Sequence, residues 1–212
     1  LSMRNGKAEV TGDRSLNCGH CQAICPVGAV TVRAIDGAMS RFVNFQPDKN
    51  WLRYGDYDTA QLVRLMASRN SCRNFLSRPV DRSILEDLLK IGCTAPSGTN
   101  RQLWTFTILP TREAVMALGK GMRSFYGKLN AMAKNRSPRL LLKLTGKPEL
   151  DTYCREYYES VREGLEEFDL TGVDRMFYGA PEVIVVGCKT QATLPKEDAL
   201  LAPQNILLAA HT

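Results

Sequence analysis

The chain has 212 residues, 44% apolar and 24% charged, with a net charge of +6 and a sequence pI near 9.0. Such a composition excludes a disordered polymer, the length suggests one domain with an appendage, and no run approaches the roughly 18 apolar residues of a membrane span. The positive balance suits an anionic ligand or an acidic partner, but no groove-reading motif accompanies it, which makes nucleic-acid binding the weakest reading.

Residues 1–14 are polar and show no period. They lead into Cys18, Cys21 and Cys25, followed by Pro26, in the pattern C-x2-C-x3-C-P. Three of the seven cysteines crowd here and the rest stand singly, which is a cluster-ligand pattern more than a disulfide framework. The spacing resembles the last three cysteines of a bacterial ferredoxin motif, with Ser15 where the first should stand. A serine oxygen is a harder, poorer ligand for iron, so weak occupancy, a three-iron form or an empty site all stay open, beside a zinc knuckle or free thiols. The cysteine usage points to a reducing, cytoplasmic setting, and the start carries no basic region leading into an apolar stretch.

Residues 36–57 shift to Gly, Asn, Pro, Asp and aromatics without periodicity and read as a linker, with Trp51 and Tyr54 expected to pack on the domain that follows. From Asp58 the apolar period becomes helical through Leu62, Val63, Met66 and Ala67, which places Arg69 and Ser71 at the helix C-terminus. A second helix follows Asp81, with Ile84, Leu85, Leu88 and Leu89 as its buried stripe and Gly92 near its end.

Next comes A-P-S-G-x-N-x-Q-x-W at 95–104, then alternation of Trp104, Phe106 and Ile108 with Thr105 and Thr107, a strand with one buried face. A helix over 111–122 and further helix to 170, broken at Ser137-Pro138, precede the β-branched run 183–186, which reads as a buried strand. The basic residues between Lys134 and Lys147 read as a solvated face, with an entry lid for anions as the minor alternative. An apolar helix over 198–210 closes the sequence, and Pro203 should kink it or move its start to near Leu201.

The residues 68–106 carry the functional signal. Arg69 and Arg73 flank Ser71, and a Pro/Ser/Gly turn rich in amide and hydroxyl donors lies downstream. Arginine donates paired, charge-assisted bonds to phosphate, and a Ser-Gly turn lets backbone N–H groups approach an anion. The set therefore suits a flat, polar, phosphorylated ligand, whereas the bland reading is a solvated helix end and a surface loop.

Taken in order, R-x-S-x-R at 69–73, the 95–104 motif, the strand after it, Gly-Ala-Pro plus the β-branched strand at 179–186, and D-A-x-x-A-x-Q-N-x-x-L-A-A at 198–210 resemble the FMN-dependent nitroreductase family. The resemblance is specifically to members with an N-terminal bacterial-type 4Fe-4S ferredoxin domain. The resemblance implies an α+β fold with a central, mostly antiparallel sheet wrapped by helices, preceded by a partial ferredoxin-like segment. The implied layout is an iron–sulfur segment over 1–35, the linker over 36–57 and an FMN-binding domain over 58–212, cut short at its end, with the chain expected to be truncated at both ends.

It further implies a homodimer in which Arg69, Asn70, Ser71 and Arg73 of one subunit, and Pro96, Ser97, Gly98, Asn100 and Gln102 of the other, hold FMN. Cys18, Cys21 and Cys25 would be the metal ligands. No side chain is expected to act as a nucleophile, because the flavin carries the chemistry. The implied reaction moves two electrons from NAD(P)H or reduced ferredoxin, through FMN, to a nitroaromatic, quinone or activated alkene. An electron carrier or redox sensor without turnover is the alternative, and neither nucleic acid nor membrane is an expected partner.

Overall fold

The computed structural model describes residues 2–48 and 50–212. In chain order its elements are strands β1 (Ser2–Arg4) and β2 (Lys7–Glu9), helices α1 (His20–Ala23), α2 (Thr59–Ser68) and α3 (Arg82–Gly92), and strand β3 (Trp104–Leu109). Helices α4 (Arg112–Lys134), α5 (Arg136–Leu144), α6 (Glu149–Glu156) and α7 (Tyr158–Thr171), strand β4 (Val183–Cys188) and helix α8 (Pro195–Ala209) complete it.

Two helix starts follow from their caps. Asp58 accepts the N–H groups of Ala60 and Gln61, and Thr111 accepts that of Ala114, each satisfying donors that the first turn leaves unpaired. Asp81 precedes α3 without a side-chain cap bond. The expected break at Ser137-Pro138 falls instead at Asn135, because Pro138 sits in the first turn of α5, where a missing N–H costs nothing. Likewise α8 begins at Pro195, a favoured first position, and continues through Pro203.

The first fourteen residues contain a hairpin that apolar periodicity did not reveal. Asn5 and Gly6 both have positive φ (51° and 74°), and Ser2 pairs with Glu9 across the antiparallel ladder. The signal was the Asn-Gly pair itself, which favours the tight turn that two short strands need.

Two compact units emerge from the backbone. The first comprises Leu1–Asn70, Asp81–Phe106 and Val186–Thr212. Here α3 packs on α8, with Leu85, Ala95, Ala202 and Ile206 all at most 8% exposed. A side chain at Gly92 would come within 2.9 Å of Ile206, so the glycine is what lets the two helices close up. Fully burying a leucine or isoleucine contributes roughly 1.5–3 kcal/mol. Strands β3 and β4 pair; Lys189 N–H donates to Leu103 O at 3.0 Å and Gly187 abuts Thr105, an antiparallel progression.

Within the stretch 36–57, Asp87 of α3 fastens the chain. Its carboxylate accepts the N–H groups of Val43 and Asn44 at 2.9 Å, and the Asn44 amide at 3.0 Å. Lys90 adds an ion pair at 3.3 Å and donates to Arg41 O at 2.7 Å. Burial works to raise the Asp87 carboxyl, but the Asn44 amides, the Val43 N–H and Lys90 outweigh it and bring it down to about 2. Trp51 meets His20 edge-on at 6.0 Å, and Tyr54 is 96% exposed, so the expected packing of Tyr54 on the following domain does not occur.

The apolar stripes expected of α2 and α3 are only partly buried: Leu62, Val63, Met66 and Ile84 are exposed, whereas Leu85 is covered. Periodicity identifies a helix face without saying what covers it.

The second unit comprises Ser71–Val80 and Thr107–Val185, in which α4 is the spine against which α5, α6 and α7 pack. Val115 and Ala133 are fully buried. Arg112 holds Asp174 at 2.7 Å and donates to Ala180 O at 3.1 Å, while buried Asn130 accepts the Tyr153 hydroxyl at 2.7 Å. The sequence between β3 and β4 is thus helical from Arg112 to Thr171 except for short breaks, and the described strands form two two-stranded sheets. Among the described residues no helix is long and apolar enough to cross a membrane.

Candidate functional site

The 96–102 turn is built from bonds that its own sequence supplies. Ser97 precedes a short 3-10 turn over Gly98–Asn100; its carbonyl accepts the Asn100 N–H at 2.9 Å and its hydroxyl accepts the Gln102 N–H at 3.0 Å. The Gln102 side chain donates to Asn100 Oδ1 at 3.0 Å. Thr99, Asn100 and Gln102 all adopt left-handed φ between 50° and 53°. Non-glycine residues hold that conformation at a cost on the order of 1 kcal/mol each, which the surroundings must offset.

Three contacts from elsewhere in the same unit do so. Gly98 N–H donates to Asp198 Oδ1 at 2.9 Å, Thr99 shares a hydroxyl bond of 2.9 Å with Thr193, and Asn100 donates its amide to Leu16 O at 2.7 Å. A Cβ at Gly98 would stand 3.0 Å from Thr193 and 3.2 Å from the Leu194 N atom, so a larger residue there would have to push these neighbours back by a few tenths of an ångström. Pro96 is exposed, and Ser97, Gly98 and Asn100 are half-buried. The structure therefore brings Ser97, Gly98, Asn100 and Gln102 into one hydrogen-bonded turn.

The arginine motif starts where α2 ends. Arg69 is the C-cap, its N–H still bonded to Leu65 O at 3.3 Å, and its extended ψ of 125° turns the chain out of the helix before Ser71. The side chains of Arg69, Asn70 and Ser71 form no hydrogen bond or ion pair among the described residues. Arg73 lies over the Tyr178 ring at 5.4 Å and likewise has no carboxylate partner among them. Arg69 and Asn70 belong to the unit that contains the turn, Ser71 and Arg73 to the other. An arginine guanidinium without a carboxylate partner among the described residues is a donor suited to a phosphate.

Cys18, Cys21 and Cys25 are free thiols near the four-residue helix α1, which His20 begins. Among the described residues no group of three or more His, Cys, Asp and Glu side chains has an arrangement that holds a metal ion, so the expected ligand set is not brought together. The Ser15 hydroxyl accepts the Asn17 N–H at 3.0 Å, a local turn bond. Cys25 Sγ accepts the Ala29 N–H at 3.2 Å, and the amides of Val27 and then Ala29 pull its thiol below the ordinary range.

Sequence reasoning missed Asp198 and Thr193 as supports of the turn. A carboxylate inside the apolar run D-A-L-L-A was the available signal, since a buried charge needs partners. At 1% exposure Asp198 accepts Gly98 N–H through its side chain and the Trp104 indole N–H, at 3.0 Å, through its carbonyl.

The sequence of residues 66–212 matches the nitroreductase family, and the chain belongs to that family. It is 36% identical over 72 residues to an iodotyrosine deiodinase from Drosophila melanogaster, a match covering 34% of this chain and 24% of that protein. It is also 46% identical over 44 residues to an iodotyrosine dehalogenase 1 homolog from Caenorhabditis elegans, covering 21% and 14%. These matches thus span about a quarter or less of the curated relatives' length. A crystal structure of a nitroreductase with bound FMN from Bacteroides fragilis shares the fold, with a TM-score of 0.51 at 18% identity over 71% of this chain and 64% of that one.

Proposed function

We propose that this chain is the flavin-binding part of an FMN-dependent oxidoreductase that passes two electrons to a small aromatic, quinone or activated-alkene acceptor. The observation that carries the proposal is the preorganised 96–102 turn, lying with the R-x-S-x-R segment inside the matched residues 66–212. The donor chemistry fits the cofactor: Arg69 supplies a cation and Ser71 a hydroxyl for its phosphate and ribityl chain, and Arg73, with Asn70 nearby, serves its pyrimidine edge. Pro96, Ser97, Gly98, Asn100 and Gln102 line the ring. When bound, FMN supplies the redox chemistry, which explains why no nucleophile and base need stand together.

The side chains have distinct tasks in this reading. A fixed guanidinium neutralises negative charge on the bound group, and a turn whose amides are already bonded internally keeps its shape without reorganisation. A homodimer that contributes the two motifs from different subunits, NAD(P)H or reduced ferredoxin as donor, and a cytoplasmic setting complete the proposal.

A second acceptor class rests on the match to iodotyrosine deiodinases. There, two electrons and a proton would convert an aryl iodide to the arene and iodide. Steady-state assays with NADPH or NADH against a nitroarene, a quinone and iodotyrosine separate the readings. The proposal expects FMN-dependent turnover of at least one of them; reduction of bound FMN with no turnover of any would instead mark an electron carrier.

A further inference from the structure

We propose that Asp198 is the positioning residue of the flavin turn, an inference that rests on the FMN reading above. One residue in the first turn of α8 ties both ends of the segment that carries the ring-lining groups. Its Oδ1 accepts the Gly98 N–H at 2.9 Å, and its carbonyl accepts the Trp104 indole N–H at 3.0 Å. Between those two points lie Thr99, Asn100 and Gln102, the three left-handed residues, which cannot keep their conformation on local preference alone.

The cost of the arrangement points the same way. Asp198 is 1% exposed, forms no ion pair among the described residues, and its Oδ2 is buried with no donor. Stability alone favours a neutral or apolar residue at such a place, since a buried charge with an unmet acceptor destabilises the fold. The position near the α8 N-terminus, where the helix field favours an anion, offsets part of that penalty. The carboxylate is spent on the direction of one backbone amide and, through it, on the orientation of Ser97, Asn100 and Gln102. Thr193, five residues earlier, adds a hydroxyl contact to Thr99 on the same turn.

The test compares wild type, Asp198→Ala and Asp198→Asn by FMN titration and by hydrogen exchange at residues 98–102 relative to α3. Asp198→Ala should weaken FMN binding about tenfold or more and speed exchange in the turn while leaving α3 protected. Asp198→Asn, whose amide oxygen still accepts the Gly98 N–H, should restore both to within about threefold of wild type. Wild-type affinity in Asp198→Ala, or equal loss in α3 and the turn, overturns the proposal. If the wild-type protein binds no FMN the functional reading fails, while the exchange pattern still decides whether Asp198 holds the turn. Should Asp198→Ala not fold, Trp104→Phe removes the indole tie while keeping an aromatic ring; turn exchange then rises several-fold relative to α3, and unchanged exchange contradicts the inference.

Discussion

Asn100 donates its side-chain amide to the carbonyl of Leu16 at 2.7 Å, so the segment that leads into Cys18 is seated on the 96–102 turn. The bond joins residues 84 positions apart and ties the cysteine-bearing stretch to the candidate ring-lining group within one compact unit. Asn100→Ala should release that seat. Amide exchange at 15–18 is expected to rise about fivefold, the equivalent of one net hydrogen bond of roughly 1 kcal/mol, with exchange in α3 unchanged. Unaltered exchange at 15–18 would show that the contact does not hold the segment.

Asp87 gives the fastening of residues 41–44 a defined pH response. Its carboxyl titrates near 2 when folded, below its ordinary value of 3.8, so its stabilising effect is complete above about pH 4 and is lost as pH falls through 2. Hydrogen exchange at Val43 and Asn44, followed from pH 5 downward and corrected for intrinsic rates, should show protection disappearing across that window. Asp87→Asn should abolish the pH response in the window.

Arg69 and Arg73 separate ligand binding from folding. Arg69→Ala should leave thermal stability within about 0.5 kcal/mol, since its side chain has no hydrogen-bond or ion-pair partner among the described residues, while weakening FMN binding about tenfold. Arg73→Ala also forfeits the Tyr178 contact, worth roughly 0.5–1 kcal/mol at an exposed site. Undiminished flavin retention in both variants would remove these residues from the site.

Gly92 tests the packing of α3 on α8. Gly92→Ala places a methyl group within 2.9 Å of Ile206 Cγ1 and Cδ1, and Ile206 is itself 8% exposed, so the helices must separate or the side chain must leave its rotamer. A destabilisation of about 1–3 kcal/mol is expected by chemical denaturation. A stabilised variant would mean that the helix-propensity gain of alanine exceeds the strain.

Much of the scaffold was legible because local chemistry dictates it. The caps at Asp58 and Thr111, the strand at Trp104–Leu109 and the Ser97-Gly98 turn follow from side chains acting within a few residues of themselves. What stayed hidden depends on distant partners. Nothing local in Asp87 announces that it receives the backbone of Val43 and Asn44, and nothing local in Asp198 announces Gly98, 100 residues earlier. The hairpin at Asn5-Gly6 is a different case, a local turn signal in a stretch whose strands are too short and polar to show an apolar period. The cysteine spacing was legible as a motif, yet spacing alone does not bring Cys18, Cys21 and Cys25 into a ligand set.

FMN titration of the purified protein, read by the visible flavin spectrum, tests the central claim most directly. The account predicts saturable binding at one FMN per chain, with a perturbed flavin band and bleaching on addition of NADPH or reduced ferredoxin. A spectrum that remains that of free flavin at saturating FMN, with wild type and Arg69→Ala indistinguishable, would contradict it.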